Sequence, residues 1–593
     1  MAAKRGGNRR EIPPLKLVDF GLGPYLHQTP SQRFPVYTRG NAGEVYPEVV
    51  FPLSITMFIA MGAEGGREAA LRSGILTNKE VDEITSGGGI FGGYMYLNLS
   101  LARMLAVRMP GVSRVELDAT YLGSEGVAPP HVPHRSDRNL WATLRGVRYG
   151  LRLIGARSLP ALDEQKAMVE AWREELPDPA EATDDELVGV LEGALPHLVK
   201  GYAEHLAISS AASLGLTLLR RSCEVLLDDS SMALTLLSGI GEVVSAEPAH
   251  ELWDLGRMVA RDPMLETTFD AGLDGLADRL AGDPGTKKFW EAFESFLELH
   301  GSRGPNEWEM ACEVWGTDRS LPLALVDRMR HADEDHDPRK RAVQLSARRS
   351  ELLREIRSQL RGAKRRRFER DLRCAVLYSQ GREEAKTMLV GIVHDCRLAA
   401  RELGRRLAER SGGHSDDLWF VTAEELEDFR NDPAAFAEVV ASRKATRNAL
   451  AEMEPPFTFS GELPPVSTWT RCGDAQGNDI VAGAVLNGIP GCAGVARGRA
   501  RVVTDPSDPG DLGVGDVLIA PLTDPSWTPL FVPVEAVVVD VGGQLSHAVI
   551  VSRELGLPCV VSVTGATRTI PDGALVEIDG AAGTVTVLES PCR

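Results

Sequence analysis

The 593-residue chain lacks an excess of positive charge: 65 Lys and Arg face 84 Asp and Glu, a formal net charge of −19. A polyanionic nucleic acid is therefore not its expected partner. It also lacks clustered cysteine. The eight thiols, at Cys223, Cys312, Cys374, Cys396, Cys472, Cys492, Cys559 and Cys592, include no C-x-x-C pair and no compact spacing. That suits reduced thiols in a cytoplasmic protein better than a disulfide framework or a zinc site. Long apolar runs are missing too. The most apolar early stretch, Val49 to Met61, is interrupted by Pro52 and falls short of the roughly 20 residues needed to span a bilayer. Met1 to Arg10 is basic but no apolar segment follows, so residues 1–14 read as a frayed tail rather than a signal peptide, and no membrane association is expected. Gly87-Gly-Gly89 is not followed by Gly-Lys-Ser/Thr, so it is no P-loop. The pairs His131/His134 and His331/His336 have neither cysteine partners nor a helical H-E-x-x-H frame, and no metal site is expected from them.

What is present is a long globular chain, 43% hydrophobic and 25% charged, with a change of character near its last quarter. Residues 15–451 carry helical periodicity, strongest at Thr183 to Val199, Lys287 to His300, Ser346 to Arg373 and Arg382 to Arg410. The Arg-rich run from Arg339 to Arg373, with Lys364-Arg-Arg-Arg367, is interleaved with Glu and reads as a solvated helix face. Residues 452–484 turn to Pro-Pro, Phe-Ser-Gly and Gly-Asp-Ala-Gln-Gly-Asn without a period, the composition of a hinge linker. Fully extended, such a linker reaches about 90–100 Å. Residues 485–593 alternate short strands, Gly and Asp turns and one or two helices. The expected fold class is a multidomain chain: a large, mainly α-helical N-terminal domain followed by a C-terminal α/β domain.

The richest stretch lies in that last domain. Asp524-Pro-Ser-Trp-Thr-Pro-Leu-Phe531 precedes a β-branched run, Ala536 to Val541, which ends in Gly542-Gly543 and leads through Ser546 to His547. The segment from His547 to Leu555 has helical composition and is closed by Gly556 and Pro558. His547 is thus expected at a helix N-terminus, where free N–H groups and the helix dipole favour a bound phosphate. Neutral imidazole is a competent nucleophile near pH 7. With Gly488-Ile-Pro-Gly491, Gly494-Val-Ala-Arg-Gly498, Asp572-Gly573 and Asp579-Gly580 in order around it, the region from Leu486 to Leu588 resembles the swivelling phosphohistidine domain of the phosphoenolpyruvate-utilising enzymes. The resemblance implies that His547 carries the phosphoryl group, with Ser546 and Gly543 beside it.

Three segments of the helical region resemble the substrate-binding domain of rifampin phosphotransferases and related proteins of that family. They are Thr38-Arg-Gly-Asn-Ala-Gly-Glu-Val-Tyr-Pro47 with Phe51-Pro-Leu53, Tyr94-Met-Tyr-Leu-Asn98, and His300-Gly-Ser-Arg-Gly-Pro-Asn-Glu307; Tyr378-Ser-Gln-Gly-Arg-Glu-Glu-Ala-Lys386 matches more loosely. Gly301, Gly304 and Pro305 fix Arg303 and Glu307 on a tight turn. Arg303 there suits a bidentate grip on phosphate oxygens. Glu307 could orient it or take a hydroxyl proton, and a structural ion pair explains the two equally well. Arg39 with Glu44, and Arg382 with Lys386 one helical turn apart, pose the same choice between phosphate binding and structure. His300 stands where the family often has an aromatic residue, and Asn306 where it often has Gly.

Relatives phosphorylate their histidine in an ATP-grasp domain or a phosphoenolpyruvate-binding barrel, and neither is recognisable in the sequence. The resemblance therefore implies a split enzyme like the aryl-phosphate synthases: a separate ATP-grasp subunit supplies ATP and Mg2+, phosphorylates His547, and a phenol-like hydroxyl receives the phosphate. Two other readings stand beside it. One is an antibiotic-modifying or antibiotic-binding relative, which a largely apolar acceptor cavity would favour. The other is a regulatory scaffold without turnover, for which the discriminator is whether Arg303 and His547 come together.

Overall fold

The computed structural model describes residues 26–82, 88–109, 113–122, 129–131, 133–241, 247–334, 337–472, 482–506, 508–544 and 546–590. The expected tail at 1–14, Gly87 and His336 lie outside these described residues.

Two very long helices, α1 (Asp184–Leu227) and α2 (Gly362–Ser411), form the spine of the N-terminal body and pack along each other. Small residues permit the close approach: a Cβ on Gly215 would stand 2.8 Å from the backbone of Ala375. Thr183 caps α1 by accepting the Glu186 N–H while Glu186 reaches back to the Thr183 N–H, a reciprocal capping box. The expected helix over Ser346 to Arg373 is in fact two. Pro338–Gln359 ends where Leu360 and Arg361 turn extended and Gly362 takes a left-handed φ of 56°, and α2 then runs unbroken through Arg410. The apolar period continues across that turn, which is why the pattern alone did not reveal it.

Beside the spine sits a four-stranded sheet in the order β2-β3-β1-β5, comprising β1 (Val36–Thr38), β2 (Gly88–Phe91), β3 (Tyr94–Asn98) and β5 (Thr458–Ser460). Between β3 and β5 in sequence lies β4 (Met453–Glu454), which pairs with β6 (Thr470–Arg471). These strands correct the hinge. Residues 453–472 belong to the N-terminal body, since β5 hydrogen-bonds to β1 and Phe459 stacks on Tyr37 with centroids 5.2 Å apart. Aromatic burial outweighs the Pro-rich composition that suggested an open linker. Of the expected hinge at 452–484, residues 473–481 lie outside the described residues.

The C-terminal domain is an eight-stranded mixed sheet in the order β7-β14-β13-β9-β10-β11-β12-β8. Its strands are β7 (Val485–Asn487), β8 (Ile489–Cys492), β9 (Val495–Val502), β10 (Asp516–Ala520), β11 (Ala536–Val539), β12 (Cys559–Val561), β13 (Leu575–Asp579) and β14 (Thr584–Glu589). The run β9-β10-β11-β12 is parallel, and every residue of β10 and β11 is buried because both faces of the sheet are covered. Helix α3 (His547–Leu555) covers one face through Ala548, Val549, Val551 and Leu555; Ala566 and Ile570 cover the other. Among the described residues no helix is long and apolar enough to cross a membrane.

Candidate functional site

The loop after β11 delivers His547 to the first position of α3, with Ser546 as an extended N-cap whose side chain makes no capping bond. Gly542 is closely packed: a Cβ there would stand 3.1 Å from Val561 and 3.2 Å from the Ser546 hydroxyl. The Ser562 hydroxyl ties this turn down by donating to the Gly542 carbonyl at 2.6 Å. The imidazole lies between two threonines, its Nδ1 3.2 Å from Thr523 Oγ1 and its Nε2 3.1 Å from Thr528 Oγ1. Phe531 meets the ring edge-on at 6.0 Å. Burial, reinforced by the positive charges of Lys386 and Arg303, holds the pKa of His547 well below the ordinary value, so the ring is neutral.

His547 faces the helical body across a cleft of about 90 Å³ whose wall includes Glu44, His205, Glu307, Arg382 and Lys386. These residues come from segments far apart in the chain. Glu44 sits in a short helix, Ala42–Val45, reached through a turn in which Asn41 adopts a left-handed φ of 65°. Its Oε1 accepts the Gly543 N–H at 3.2 Å, a direct bond between the two domains. Burial raises the Glu44 pKa to about 7 despite the opposing pull of Arg382, the Gly543 N–H and Lys386. A second bridge runs from the Asn306 N–H to Asp524 Oδ2 at 3.4 Å.

The loop after the helix Lys287–His300 is tight, as expected. The Trp315 N–H donates to the Arg303 carbonyl and the Gly316 N–H to the Gly301 carbonyl, both at 2.8 Å. Asn306 has φ 55°, the left-handed region that glycine and asparagine tolerate best, which accounts for its replacing the family's glycine. His300 packs its ring 5.1 Å from Phe296 and lies 3.3 Å from Glu251, filling an aromatic role away from the cleft. Glu307 is shared: Lys386 Nζ is 2.9 Å from Oε1, and Arg303 Nη1 is 3.3 Å from Oε2. Arg303 also donates to Thr387 Oγ1 at 2.6 Å, while the buried Arg397 donates to the Glu307 carbonyl at 2.7 Å.

The candidates thus divide. His547, Glu44, Glu307, Arg382 and Lys386 line one cleft; Gly543 is tied to it through Glu44, and Ser546, next to His547, has its hydroxyl buried and without a hydrogen-bond partner among the described residues. Arg303 backs the cleft instead of lining it; only 3% exposed, it acts on His547 by charge rather than by an open guanidinium. Arg39 is a correction. Its guanidinium donates to the carbonyls of Tyr46 and Pro47 and stacks over Tyr94 at 4.7 Å, so its cation–π and backbone bonds hold the Glu44 loop rather than a ligand. Residues that sequence reasoning passed over are Thr523, Thr528 and His205. Thr528 lies inside the Asp524–Phe531 motif but carried no signal apart from it, and His205 looked like any other residue of a long helix.

A helical body thus faces a sheet domain that presents a neutral histidine at a helix N-terminus. In keeping with this, residues 512–583 match the model of the mobile domain of PEP-utilising enzymes, and residues 204–383 match that of the rifampicin phosphotransferase fourth domain. Over these segments the chain is similar to the PEP-utilising enzymes and to the rifampicin phosphotransferases. Among its relatives, an uncharacterized protein of Mycobacterium tuberculosis (strain ATCC 25618 / H37Rv) is 29% identical over 94% of this chain and 62% of its own length. A rifampicin phosphotransferase of Streptomyces sp is 32% identical over 61% of this chain and 42% of its own. The prodigiosin synthesizing transferase PigC of Serratia marcescens is 26% identical over 84% of this chain and 57% of its own. The chain therefore spans about three-fifths or less of the length of these relatives.

Proposed function

We propose that this chain is a phosphotransferase component in which His547 carries a phosphoryl group to the hydroxyl of a small, aromatic acceptor. An ATP-grasp-type partner holding ATP and Mg2+ loads the histidine, and the α/β domain swings between partner and cleft. The observation that carries this reading is the docking of a neutral His547 onto a cleft containing Lys386 and Arg382. In-line phosphoryl transfer asks a protein mainly for position and for cations on the equatorial oxygens. Lys386 and Arg382 supply those cations at the cleft wall, with Glu307, itself paired with Arg303, holding Lys386 in place. The Ser546 hydroxyl and the N-terminal amides of α3 offer further donors to the phosphoryl group.

The rifampicin phosphotransferases among the relatives favour a second reading, modification of an antibiotic. Against it, the wall has several charged groups and few large apolar faces. The scaffold reading is weakened because His547 shares one cleft with Lys386 and Arg382, with the charge of Arg303 behind it.

The test is incubation with γ- and β-labelled ATP, alone and with a candidate ATP-grasp protein, followed by mapping of acid-labile label. Label on His547 only with the partner is the expected result. Label without it means that the chain loads itself, and no label in either case sinks the proposal.

A further inference from the structure

Resting on the transferase reading, a second question is which group accepts the proton of the attacking hydroxyl. The acidic residues of the cleft are already engaged. Glu307 is paired with Lys386 and Arg303, Glu383 accepts from Arg382 at 2.7 Å, Asp524 accepts the Asn306 N–H, and Glu44 accepts the Gly543 N–H. His205, on α1, is different. It lines the same cleft as His547, and its Nδ1 is buried with no hydrogen-bond partner among the described residues. Its Nε2 lies 3.4 Å from the hydroxyl of Ser209, one helical turn further on.

We infer that His205 is the general base of the transfer: Nε2–H donates to Ser209, leaving the Nδ1 lone pair to take the acceptor's proton. The hydroxyl oxygen forms a bond to phosphorus as the N–P bond to His547 breaks, and the bonding pair returns to the His547 nitrogen. That imidazole leaves neutral because its other nitrogen is protonated, and the hydroxyl proton ends on His205. Burial, with Arg382 and Lys386 nearby, lowers the pKa of His205 to about 3, so it stays unprotonated while the cleft is unloaded. A dianionic phosphoryl group brought in on His547 offsets those cations and restores basicity when it is needed.

The experiment uses the full chain, phosphorylated on His547 with phosphoramidate, and follows loss of the phosphohistidine to benzyl alcohol, 4-methylphenol and 4-nitrophenol at pH 8. Wild type is compared with His205→Gln, His205→Ala and Ser209→Ala, each first checked for equal phosphohistidine loading. General-base catalysis contributes about 10²–10⁴-fold, so both His205 variants should lose transfer to benzyl alcohol and 4-methylphenol by that factor. The loss should nearly vanish for 4-nitrophenol, which is already largely ionised. Ser209→Ala should show the same pattern more weakly. An equal loss for all three acceptors, or none, overturns the assignment in favour of a structural His205. If wild-type His547 cannot be loaded, or once loaded transfers to none of the three, the transferase reading itself fails and the inference goes with it.

Discussion

The two sides of the cleft are built in opposite ways. On the sheet domain, the elements that present His547 lie within a few dozen residues: β11, the Gly542 turn, the Ser546 cap, α3, and Thr523 and Thr528 just upstream. On the helical body, Glu44, His205, Glu307 and Lys386 converge from across more than three hundred residues. Carrier chemistry written into one local motif survives as a portable unit. A receiving site assembled by long-range packing is free to change one wall at a time, and on the proposed cycle that is where acceptor specificity belongs.

Removing the carrier group breaks the comparison most severely. His547→Ala should abolish acid-labile labelling altogether while leaving the fold intact, as measured by label mapping alongside thermal unfolding.

Next in size is a change on the assembled side. Glu307→Ala leaves Lys386 and the buried Arg303 without their shared carboxylate. Loss of one partner of a buried ionic group costs about 3–5 kcal/mol, to be read from urea unfolding, and transfer should fall with it. Glu307→Gln, which keeps the volume, should cost less stability than Glu307→Ala.

The interdomain contact should respond to pH with two opposing branches. Glu44, raised in the docked state to about 7 from an ordinary 4.5, binds a proton on docking. Its contribution is complete below 4.5 and is lost as pH rises through 7. His547, lowered from 6.5, releases a proton on docking, so its contribution is complete above 6.5 and is lost as pH falls. His205, lowered to about 3, adds to the same branch to the extent that undocking uncovers it. Fluorescence transfer between dyes on the two domains should show Glu44→Gln keeping only the rise with pH and His547→Asn weakening that rise. Identical profiles in both variants would exclude this linkage.

The smallest effect tests the loop. Asn306→Gly should change stability by less than about 1 kcal/mol, whereas Asn306→Val, forced to a left-handed φ, should cost about 1–3 kcal/mol.

The same contrast explains what the sequence made legible. The fold class, the helix beginning at His547 and its left-handed Gly556 end were readable because strand period, glycine turn and helix closure are all local. The tight loop carrying Arg303 and Glu307 was readable for the same reason. The fates of the candidate arginines were not. Arg39 and Arg303 carry the same charge on similar glycine-bearing loops, and only three-dimensional packing turned one onto Tyr94 and the other toward Glu307. The strand pairing of residues 458–460 with 36–38 was equally hidden, since it joins segments more than four hundred residues apart.

On the proposed cycle, the bond between the Gly543 N–H and Glu44 also bears on tempo. The polar ties between the two domains include this bond, the Asn306–Asp524 contact, the Arg341 donation to the Val532 carbonyl at 3.4 Å and the exposed Arg568–Glu454 pair. Several of these are long or solvent-screened, and such contacts contribute little to holding the domains together. On the proposed cycle, a carrier that must leave after each delivery works best when its stay is only as long as the chemistry requires. Glu44, placed beside the delivered phosphate, would act as the clock's escapement.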